Sequence, residues 1–445
     1  MKYRQFCTML LMAGLFISHS ALAGVWEWWT KRFQGELQYL EQIDYWGNST
    51  TQLPQGLLGI KYNCSFVEGG PQWDMKGHSM GGVLPVIKGD FGPQGGILLD
   101  PRASGRAVFH EVQISYGITD PIDVYIKIPF LHLDVNLDPL YESRGLAKMI
   151  FGETLEDFYE TIEEFGRPRP ARHYETNGVE IGDINFGFSW QYLRNTFFGG
   201  SLTFKVFAPT GRLADPDRQI YLLLGPELDA GKGAWGMGVS ASFDWRIPYK
   251  RLKHIIFSGA LEFQQRFPYK RTFPHFTKPD YSKIANLGPE ALMGIQSFFP
   301  DVSEDAGRSY TIYPGSIFIT MASIHLDVLG LIANIPGALT GGLEYDYIAV
   351  MPSIVKGLHA PADQMVSSTL FSGGATEHHL ILGAESSALF ALSIPLRLKF
   401  KYEWMVAGTN ALRLINNWGF GVELYLPIDI SAIEKKQRNV SSAEK

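Results

Sequence analysis

The sequence is poor in cysteine, in charge and in long apolar runs, and each scarcity excludes a class of protein. The 445 residues include only two cysteines, Cys7 and Cys64, which excludes a secreted scaffold held by several disulfides. Charged residues make up 19% and acids outnumber bases, which argues against a nucleic-acid partner, because such proteins present a basic face. Beyond residue 23, no continuous apolar run is long enough for a helical membrane span.

The first 23 residues have the pattern of a secretory signal peptide. Lys2 and Arg4 form a basic start, residues 6–17 are mainly apolar, and residues 21–23 form an A-x-A cleavage site. An anchoring helix is the alternative, but about a dozen apolar residues are too few to span a bilayer of about 30 Å. Without Lys2 and Arg4, 37 basic residues face 45 acids, so the exported chain is expected to have a formal charge of −8.

The remaining sequence contains segments of about ten residues in which apolar and polar residues alternate. This period of two is expected for a strand with two different faces. The split recurs at 183–191, 202–206 and 396–403. A soluble β-sandwich also alternates, with its polar face in water, and this is the alternative interpretation. In the clearest segment, serines and charges oppose an apolar face made by Met237, Val239, Ala241, Phe243 and Trp245.

Several features favour an all-β fold, an antiparallel transmembrane β-barrel whose apolar face meets lipid and whose polar face lines the lumen. Predicted strands of ten or more residues exceed the usual soluble length of about five or six and match the span of a tilted membrane strand. An exported chain of this size without disulfides fits the outer membrane of a Gram-negative-type bacterium. Aromatic residues fall near the strand ends, where membrane girdles lie: Tyr116, Trp190, Trp245, Phe267, Trp404 and Trp418.

Twelve strands are predicted, and a further pair around residues 83–88 would give fourteen. With twelve strands, both chain termini lie on one side of the barrel. The connections on that side are short and those on the other side are mostly long, as in outer-membrane barrels with short periplasmic turns and long extracellular loops. The predicted strands are 56–65, 107–117, 122–130, 180–192, 200–208, 234–246, 254–266, 315–327, 339–350, 377–386, 390–403 and 415–428.

A short helix is predicted at residues 154–166, within a long extracellular loop. Thr154 with Asp157 approximates a capping box, and Gly166 followed by Pro168 ends the helix. We expect its apolar side to be buried in the barrel mouth or over the lumen, while its acidic back favours a solvated face over a metal site. The apolar side carries Leu155, Phe158, Tyr159, Ile162 and Phe165.

The predicted domains are the signal peptide 1–23, an N-terminal amphipathic segment 24–50, the barrel 51–430 and a polar periplasmic tail 431–445. In segment 24–50, Trp26, Trp29 and Phe33 recur at helical spacing. Two interpretations remain open for this segment. It is either a plug that enters the lumen from the periplasmic side or an amphipathic helix at the membrane surface.

The last predicted strand carries a polar-x-Gly-x-x-apolar-x-apolar pattern, formed by Asn417, Gly419, Val422 and Leu424. This pattern resembles the signal that barrel-assembly machinery reads on outer-membrane proteins. Such proteins usually stop at a terminal aromatic residue, whereas this chain continues into the polar tail. The expected partners are therefore the assembly machinery, outer-membrane lipid and an unidentified small solute.

Longer motifs carry a family resemblance. VYIKIPF at 124–130, EEFGRPR at 163–169, GDINFGF at 182–188 and FKVFAPTGR at 204–212 together resemble a family of uncharacterised bacterial outer-membrane barrels, a domain of unknown function. FAPTGR and GAWGMGVSASFDW also resemble barrel proteins associated with phenol meta-pathway degradation. The resemblance covers roughly residues 50–430 and implies a barrel with a transport role. The family has no established catalytic residues to carry over.

Charged residues of both signs fall on the predicted lumen face. Opposite charges across a lumen create a transverse field and order water, as in a pore for small polar solutes. The alternative is a filled barrel whose charges pair with one another and with a plug. The predicted lumen-lining residues are Asp123, Lys127, Lys205, Asp244, Arg246, Glu262, Glu344, Arg397, Lys399, Lys401 and Glu423.

The residues give little support for catalysis or metal binding. No His-x-x-x-His and no cysteine pair offers zinc spacing, and the adjacent His378 and His379 should point to opposite faces of a strand. The sequence therefore predicts no enzymatic activity, no metal and no cofactor. The leading hypothesis is a porin-like channel or transporter for small, apolar or aromatic molecules. A structural or surface-interaction barrel and an outer-membrane hydrolase are the alternatives.

Overall fold

The computed structural model describes most of the chain between residues 53 and 427. The predicted signal peptide, segment 24–50 with Trp26, Trp29 and Phe33, and the tail 431–445 lie outside the described residues. Those residues are 53, 55–72, 87–90, 95–100, 104–136, 138–164, 173–176, 178–195, 197–213, 215, 230–249, 252–272, 309–333, 337–357, 374–387, 396–409 and 412–427.

Twelve long antiparallel strands form one closed barrel. Each strand pairs with its neighbours along the chain, and the first strand closes the ring by pairing with the last, from Leu57 opposite Pro427 to Val67 opposite Asn417. The strands are β1 (Leu57–Gln72), β2 (Ser104–Thr119), β3 (Ile122–Asn136), β4 (Ile184–Arg194), β5 (Phe198–Ala208), β6 (Gly236–Arg246), β7 (Ile255–Arg266), β8 (Ile317–Asp327), β9 (Leu339–Val350), β10 (Ala375–Ser387), β11 (Leu396–Thr409) and β12 (Leu412–Pro427).

The prediction of twelve strands is confirmed, and the alternative of fourteen is wrong. Residues Ile87–Asp90 do form a strand, but it lies outside the barrel in a three-stranded sheet with Gly95–Asp100 and Leu140–Gly145. A second small sheet joins Tyr269–Thr272, Ser309–Tyr313 and Ile354–Lys356. Several barrel strands also extend beyond the predicted bounds, because backbone pairing continues past the stretch in which the side chains alternate.

The connections between barrel strands separate by length, as predicted. We call the side that carries Leu57 and Pro427 the turn end and the opposite side the long-loop end. Connections at the turn end are 120–121, 195–197, 247–254, 328–338 and 388–395. Those at the long-loop end are 73–103, 137–183, 209–235, 267–316 and 351–374, with only 410–411 short.

Apolar side chains cover the outside of the barrel, and polar ones lie inside. On β6, Met237 and Phe243 are 52% and 56% exposed, whereas Ser240 and Ser242 are 5% and 6% exposed. A soluble sandwich would bury its apolar face, so that interpretation is wrong, and an apolar surface of this extent requires lipid. The same outward exposure is found for Phe186, Phe188, Trp190, Val206, Leu261, Leu343, Leu382, Leu398 and Phe400.

Aromatic side chains mark both ends of this apolar surface. Trp190 and Trp245 lie towards the turn end, and Phe267, Trp404 and Trp418 lie at the long-loop end, all between 38% and 44% exposed. The sixth predicted girdle residue, Tyr116, is only half-buried against its neighbours. Aromatic residues in these positions match the two interfaces of a bilayer.

The β3–β4 connection contains helices α1 (Leu146–Phe151) and α2 (Leu155–Glu164), of which α2 was predicted. The predicted capping box is present: the Asp157 backbone amide donates to Thr154 Oγ1 at 3.1 Å, and the Thr154 amide donates to Asp157 Oδ2 at 2.9 Å. These bonds from Thr154, with one from the Glu153 amide, hold the pKa of Asp157 below its usual value.

The apolar side of α2 packs on a local core within the long loops. The Phe158 ring lies 5.1 Å from that of Tyr141 and 5.8 Å from that of Phe151, which is fully buried. Helix α1 was not predicted; it is bounded by Gly145 and Gly152, whose positive φ values of 59° and 79° favour glycine. Helix α2 therefore packs against a local sheet of the long loops, and this sheet was not predicted.

At the turn end, a 3₁₀ helix (Leu252–His254) lies beside helix α3 (Val328–Ala333). None of the helices in the described part of the chain is long and apolar enough to cross a membrane.

A substitution on β7 tests the two faces. Leu261 is 63% exposed at mid-strand, so Leu261→Arg should lower the free energy of unfolding in lipid vesicles by about 2–4 kcal/mol. Gln264 faces the interior and donates to Glu262 at 2.6 Å, so Gln264→Arg keeps a donor and should be tolerated. Urea titrations of both variants provide the measurement, and equal losses would contradict the assignment of faces.

Candidate functional site in the barrel interior

A cluster of five charged side chains lies on the inner wall near the turn end. Strand register places Lys399 opposite Glu385, and both Arg397 and Lys61 opposite Glu423. Arg397 contacts Glu385 at 2.8 Å and Glu423 at 3.3 Å, and Lys399 lies 3.3 Å from each of these carboxylates. Lys61 completes the group at 2.8 Å from Glu423. We call these five residues the turn-end cluster.

A second cluster lies further towards the long-loop end. His379 on β10 contacts Glu403 on β11 at 2.7 Å and Glu377 at 3.1 Å. Asn417 donates to Glu403 at 2.6 Å, and Lys401 lies 3.4 Å from the same carboxylate. We call these residues the loop-end cluster. It contains two carboxylates, one amide donor, one histidine and one lysine, so charges of both signs recur at this level.

The two adjacent histidines of β10 point to opposite faces, as predicted. His379 is buried in the loop-end cluster, whereas His378 faces outwards and its Nδ1 forms a 2.6 Å hydrogen bond with the Tyr345 hydroxyl. Joint ligation of one metal ion by the pair is therefore excluded by geometry.

Two further ion pairs lie on the inner wall between β2 and β7. Lys127 on β3 lies 3.2 Å from Glu111 on β2, which also accepts a hydrogen bond from the Asn63 amide at 3.1 Å. Lys205 on β5 lies 2.5 Å from Glu262 on β7 and reaches across β6. It can do so because the intervening positions of β6 carry glycine and serine.

The remaining predicted lumen residues lie on β3, β6 and β9. Asp123 is buried at the turn end, where its carboxylate accepts a hydrogen bond from the Leu53 backbone amide at 3.2 Å. Asp244 and Arg246 lie half-buried near the turn end of β6, and Glu344 is buried on β9. Glu111, His379 and Glu385 also face the interior but were not among the predicted lumen residues. Their positions in the alternation of their own strands could have identified them as inward-facing.

Two carboxylates on β9 have buried oxygens without a hydrogen-bond partner in the described part of the chain. These are Glu344 Oε2 and Asp346 Oδ1, on successive inward positions. Buried polar atoms are almost always hydrogen-bonded, to protein or to water. These two acidic side chains lie next to each other on the inner face of β9.

The described residues line two cavities in the interior, and Phe109 is common to both. The inner cavity, of about 350 Å³, is lined by residues of several strands, including Lys61 on β1, Glu111 on β2, Met321 on β8, Glu344 on β9 and both Lys399 and Lys401 on β11. The outer cavity, of about 530 Å³, lies towards the long-loop end and is lined mainly by Phe109, Pro129, Phe130, Leu131, Asp183, Lys232, Arg266, Tyr269, Arg271, Tyr310 and Ile312.

The four residues of the predicted assembly signal lie on β12. Asn417 and Gly419 face the interior and Val422 and Leu424 face outwards, because odd and even positions point to opposite sides. Recognition by assembly machinery stays a prediction.

The described residues contain one serine–histidine pair. Ser323 Oγ lies 2.8 Å from His325 Nε2, but His325 Nδ1 has no hydrogen-bond partner there, so the acid that would orient a catalytic histidine is missing from the pair. Residues 77–81, GHSMG, match the G-x-S-x-G pattern of hydrolases, but they lie outside the described residues. Within the described residues, no group of three histidine, cysteine or acidic side chains is arranged to hold a metal ion.

Comparisons with known proteins agree with a barrel but identify no family. No family model and no curated protein matches the chain. Among solved structures, an outer-membrane channel from Pseudomonas putida F1 is 10% identical, with a TM-score of 0.47, over 86% of this chain and 100% of that one. The translocator domain of the autotransporter NalP from Neisseria meningitidis is 9% identical, with a TM-score of 0.34, over 89% and 97%.

The NanC porin is 7% identical, with a TM-score of 0.31, over 82% of this chain and 98% of that one. Similarity at this level transfers no functional residue. The assignment as a transmembrane β-barrel rests on the closed strand order and on the apolar outer surface. The finer resemblance to one family of outer-membrane barrels stays a prediction.

The turn-end cluster gives a stability prediction. Arg397 is 1% exposed, so Arg397→Met removes a buried cation from two carboxylates and should lower the free energy of unfolding by about 3–5 kcal/mol. The matched control is Arg106→Met, because the Arg106 side chain is 77% exposed and lies 3.8 Å from Glu68, and its loss should be below about 1 kcal/mol. Chemical unfolding in vesicles measures both, and equal losses would contradict a buried cluster.

Proposed function

We propose that this protein is an outer-membrane channel that conducts small molecules through the barrel interior. The observation that carries this proposal is the pair of cavities that meet at Phe109. The inner cavity is lined by charged residues of both signs, including Lys61, Lys399, Lys401, Glu111 and Glu344, and such a lining is typical of pores for small solutes. The lumen of a twelve-stranded barrel is also wider than the eight-strand case that side chains just fill.

The range of solutes includes apolar and aromatic molecules. The outer cavity supports this, because most of its lining is aromatic or aliphatic, while the inner cavity is charged. Long loops at one end also support extracellular exposure of that end, with the turn end in the periplasm.

A structural or surface-interaction barrel is the competing proposal, and electrical recordings distinguish the two. The full-length protein, reconstituted in planar bilayers, should give stable unitary conductance steps. Protein that is shown to be folded by its heat-resistant mobility on gels, yet gives no steps either intact or after the deletion described below, would overturn the channel.

The proposed membrane orientation gives a labelling prediction. In a Cys64→Ser background, a cysteine introduced near residue 280 or 360 should react with an impermeant thiol reagent on intact cells. A cysteine at residue 120 or 250 should react only after the outer membrane is permeabilised, because these positions lie at the turn end. The reverse pattern of access would overturn the orientation.

We further propose that segment 24–50 partly closes the lumen from the turn end. Leu53, just after this segment, supports the proposal: its backbone amide is bonded to the inward-facing Asp123, and its side chain lies over the inward face of Gly59. The chain thus reaches β1 from the inside of the barrel. The apolar stripe of Trp26, Trp29 and Phe33 also needs cover.

Deletion of residues 25–46 tests this plug. Conductance and antibiotic entry should rise, while the heat-resistant folded form persists, because strand pairing supplies the stability of the barrel. Unchanged permeability of the folded deletion variant would favour a helix at the membrane surface instead. The matched control is a Trp26→Ala, Trp29→Ala variant, which keeps the segment length and should give an intermediate permeability.

A further inference from the structure

Phe109 is an aromatic side chain inside the barrel that is not covered by its neighbours. It lies on β2, opposite Ser65 on β1 and Leu131 on β3, and it is 43% exposed. Since it lines both cavities, its exposed surface faces the interior rather than lipid. A large apolar side chain left uncovered inside a polar lumen gives up the favourable free energy of burial, so it offers an apolar contact surface to a solute.

The outer cavity provides an apolar chamber above Phe109. Leu131, Tyr310 and Ile312 contribute apolar surface, and Tyr310 and Ile312 are themselves almost fully buried. Its volume of about 530 Å³ lies within the usual range of small-molecule sites, about 300–1,000 Å³. The small sheet that carries Tyr310 and Ile312 fixes these side chains in place, because Ile312 pairs with Tyr269 on one side and Val355 on the other.

The charges of the outer cavity favour an anion. Its acid, Asp183, is already saturated: it accepts from Arg266 at 3.1 Å and from the backbone amides of Lys232 at 3.0 Å and Gly211 at 3.2 Å. The Lys232 side chain is exposed at the same cavity. An ammonium group beside a neutralised carboxylate leaves a local excess of positive charge.

We propose that the outer cavity is a binding site for a small organic anion with an apolar body, that Phe109 forms its floor, and that Lys232 contacts the anionic group. This inference rests on the proposed function and deepens it by naming the class of solute. The apolar body lies against Phe109 and the apolar wall. Passage into the inner cavity then brings the solute to charged residues of both signs, among them Lys61, Lys399 and Glu344.

Equilibrium binding to the full-length protein in detergent tests the site independently of transport. Three probes are compared. Benzoate has an aromatic ring and a negative charge, benzyl alcohol has the ring without the charge, and acetate has the charge without the ring. Benzoate should bind saturably and more tightly than either of the other two. Absence of saturable benzoate binding, or equal binding of acetate and benzoate, would overturn the proposal.

Two variants separate the two parts of the site. Phe109→Ala should weaken benzoate and benzyl alcohol alike, by about three- to tenfold, through loss of ring contact. Lys232→Gln should weaken benzoate alone, by about two- to fivefold, as expected for one exposed charge. Phe188→Ala, on the outer surface, is the control and should change neither. Unchanged benzoate affinity in a folded Phe109→Ala variant would overturn the assignment of the floor.

The two proposals can fail separately. Conductance steps without benzoate binding would leave the channel standing and overturn this site. Benzoate binding that responds to Phe109→Ala, in a protein that gives no conductance, would support the site and overturn the channel. In a conducting protein, Phe109→Ala should also raise the unitary conductance, because it joins the two cavities.

Discussion

Pairing between β1 and β12 closes the sheet, and the remaining features of the fold depend on this closure. Lipid offers no hydrogen bonds to a backbone, so a sheet can span a bilayer only if its edge strands pair with each other. The register from Leu57 opposite Pro427 to Val67 opposite Asn417 provides that pairing. A closed, antiparallel ring then gives every strand one face towards lipid and one towards the interior.

The charged residues of the strands lie in the interior because the closed ring gives every strand one face away from lipid. Buried ion pairs contribute little net stability, because the cost of desolvation offsets their attraction, but an unpaired buried charge is expensive. The turn-end cluster avoids that cost, since strand register sets Lys399 against Glu385 and Arg397 against Glu423. These pairs hold the wall in shape, and Lys399 also lines the inner cavity, together with Lys401 on β11 and Glu344 on β9.

The number of strands, their faces and the separation of long and short connections could be predicted from the sequence. Period-2 alternation is a local signal, and β6 shows it without interruption from Met237 to Trp245. What could not be predicted depends on contacts between distant segments. The sheet that includes Ile87–Asp90 resembled a barrel strand pair locally, and only its pairing with Gly95–Asp100 separates it from the barrel.

The residues of the site also divide into those that the sequence of one strand predicts and those that depend on contacts between strands. Lys399, Lys401 and Glu423 could be assigned to the interior because each occupies a polar position in an alternating strand. That Glu385 contacts Lys399, and that His379 contacts Glu403, depends on register between strands, which the alternation of one strand does not specify. Phe109 was not foreseen, because an apolar residue on the inward face runs against the pattern that identified the barrel.

Oxygen accessibility of spin labels along β6 tests most directly whether the apolar face meets lipid and the polar face the interior. Nitroxides placed one at a time at residues 237–245, in a Cys64→Ser protein in vesicles, report this by power saturation, because oxygen concentrates in the bilayer. The account predicts maxima at 237, 239, 241, 243 and 245 and minima at the positions between them. A flat profile, or maxima at 240, 242 and 244, would contradict it.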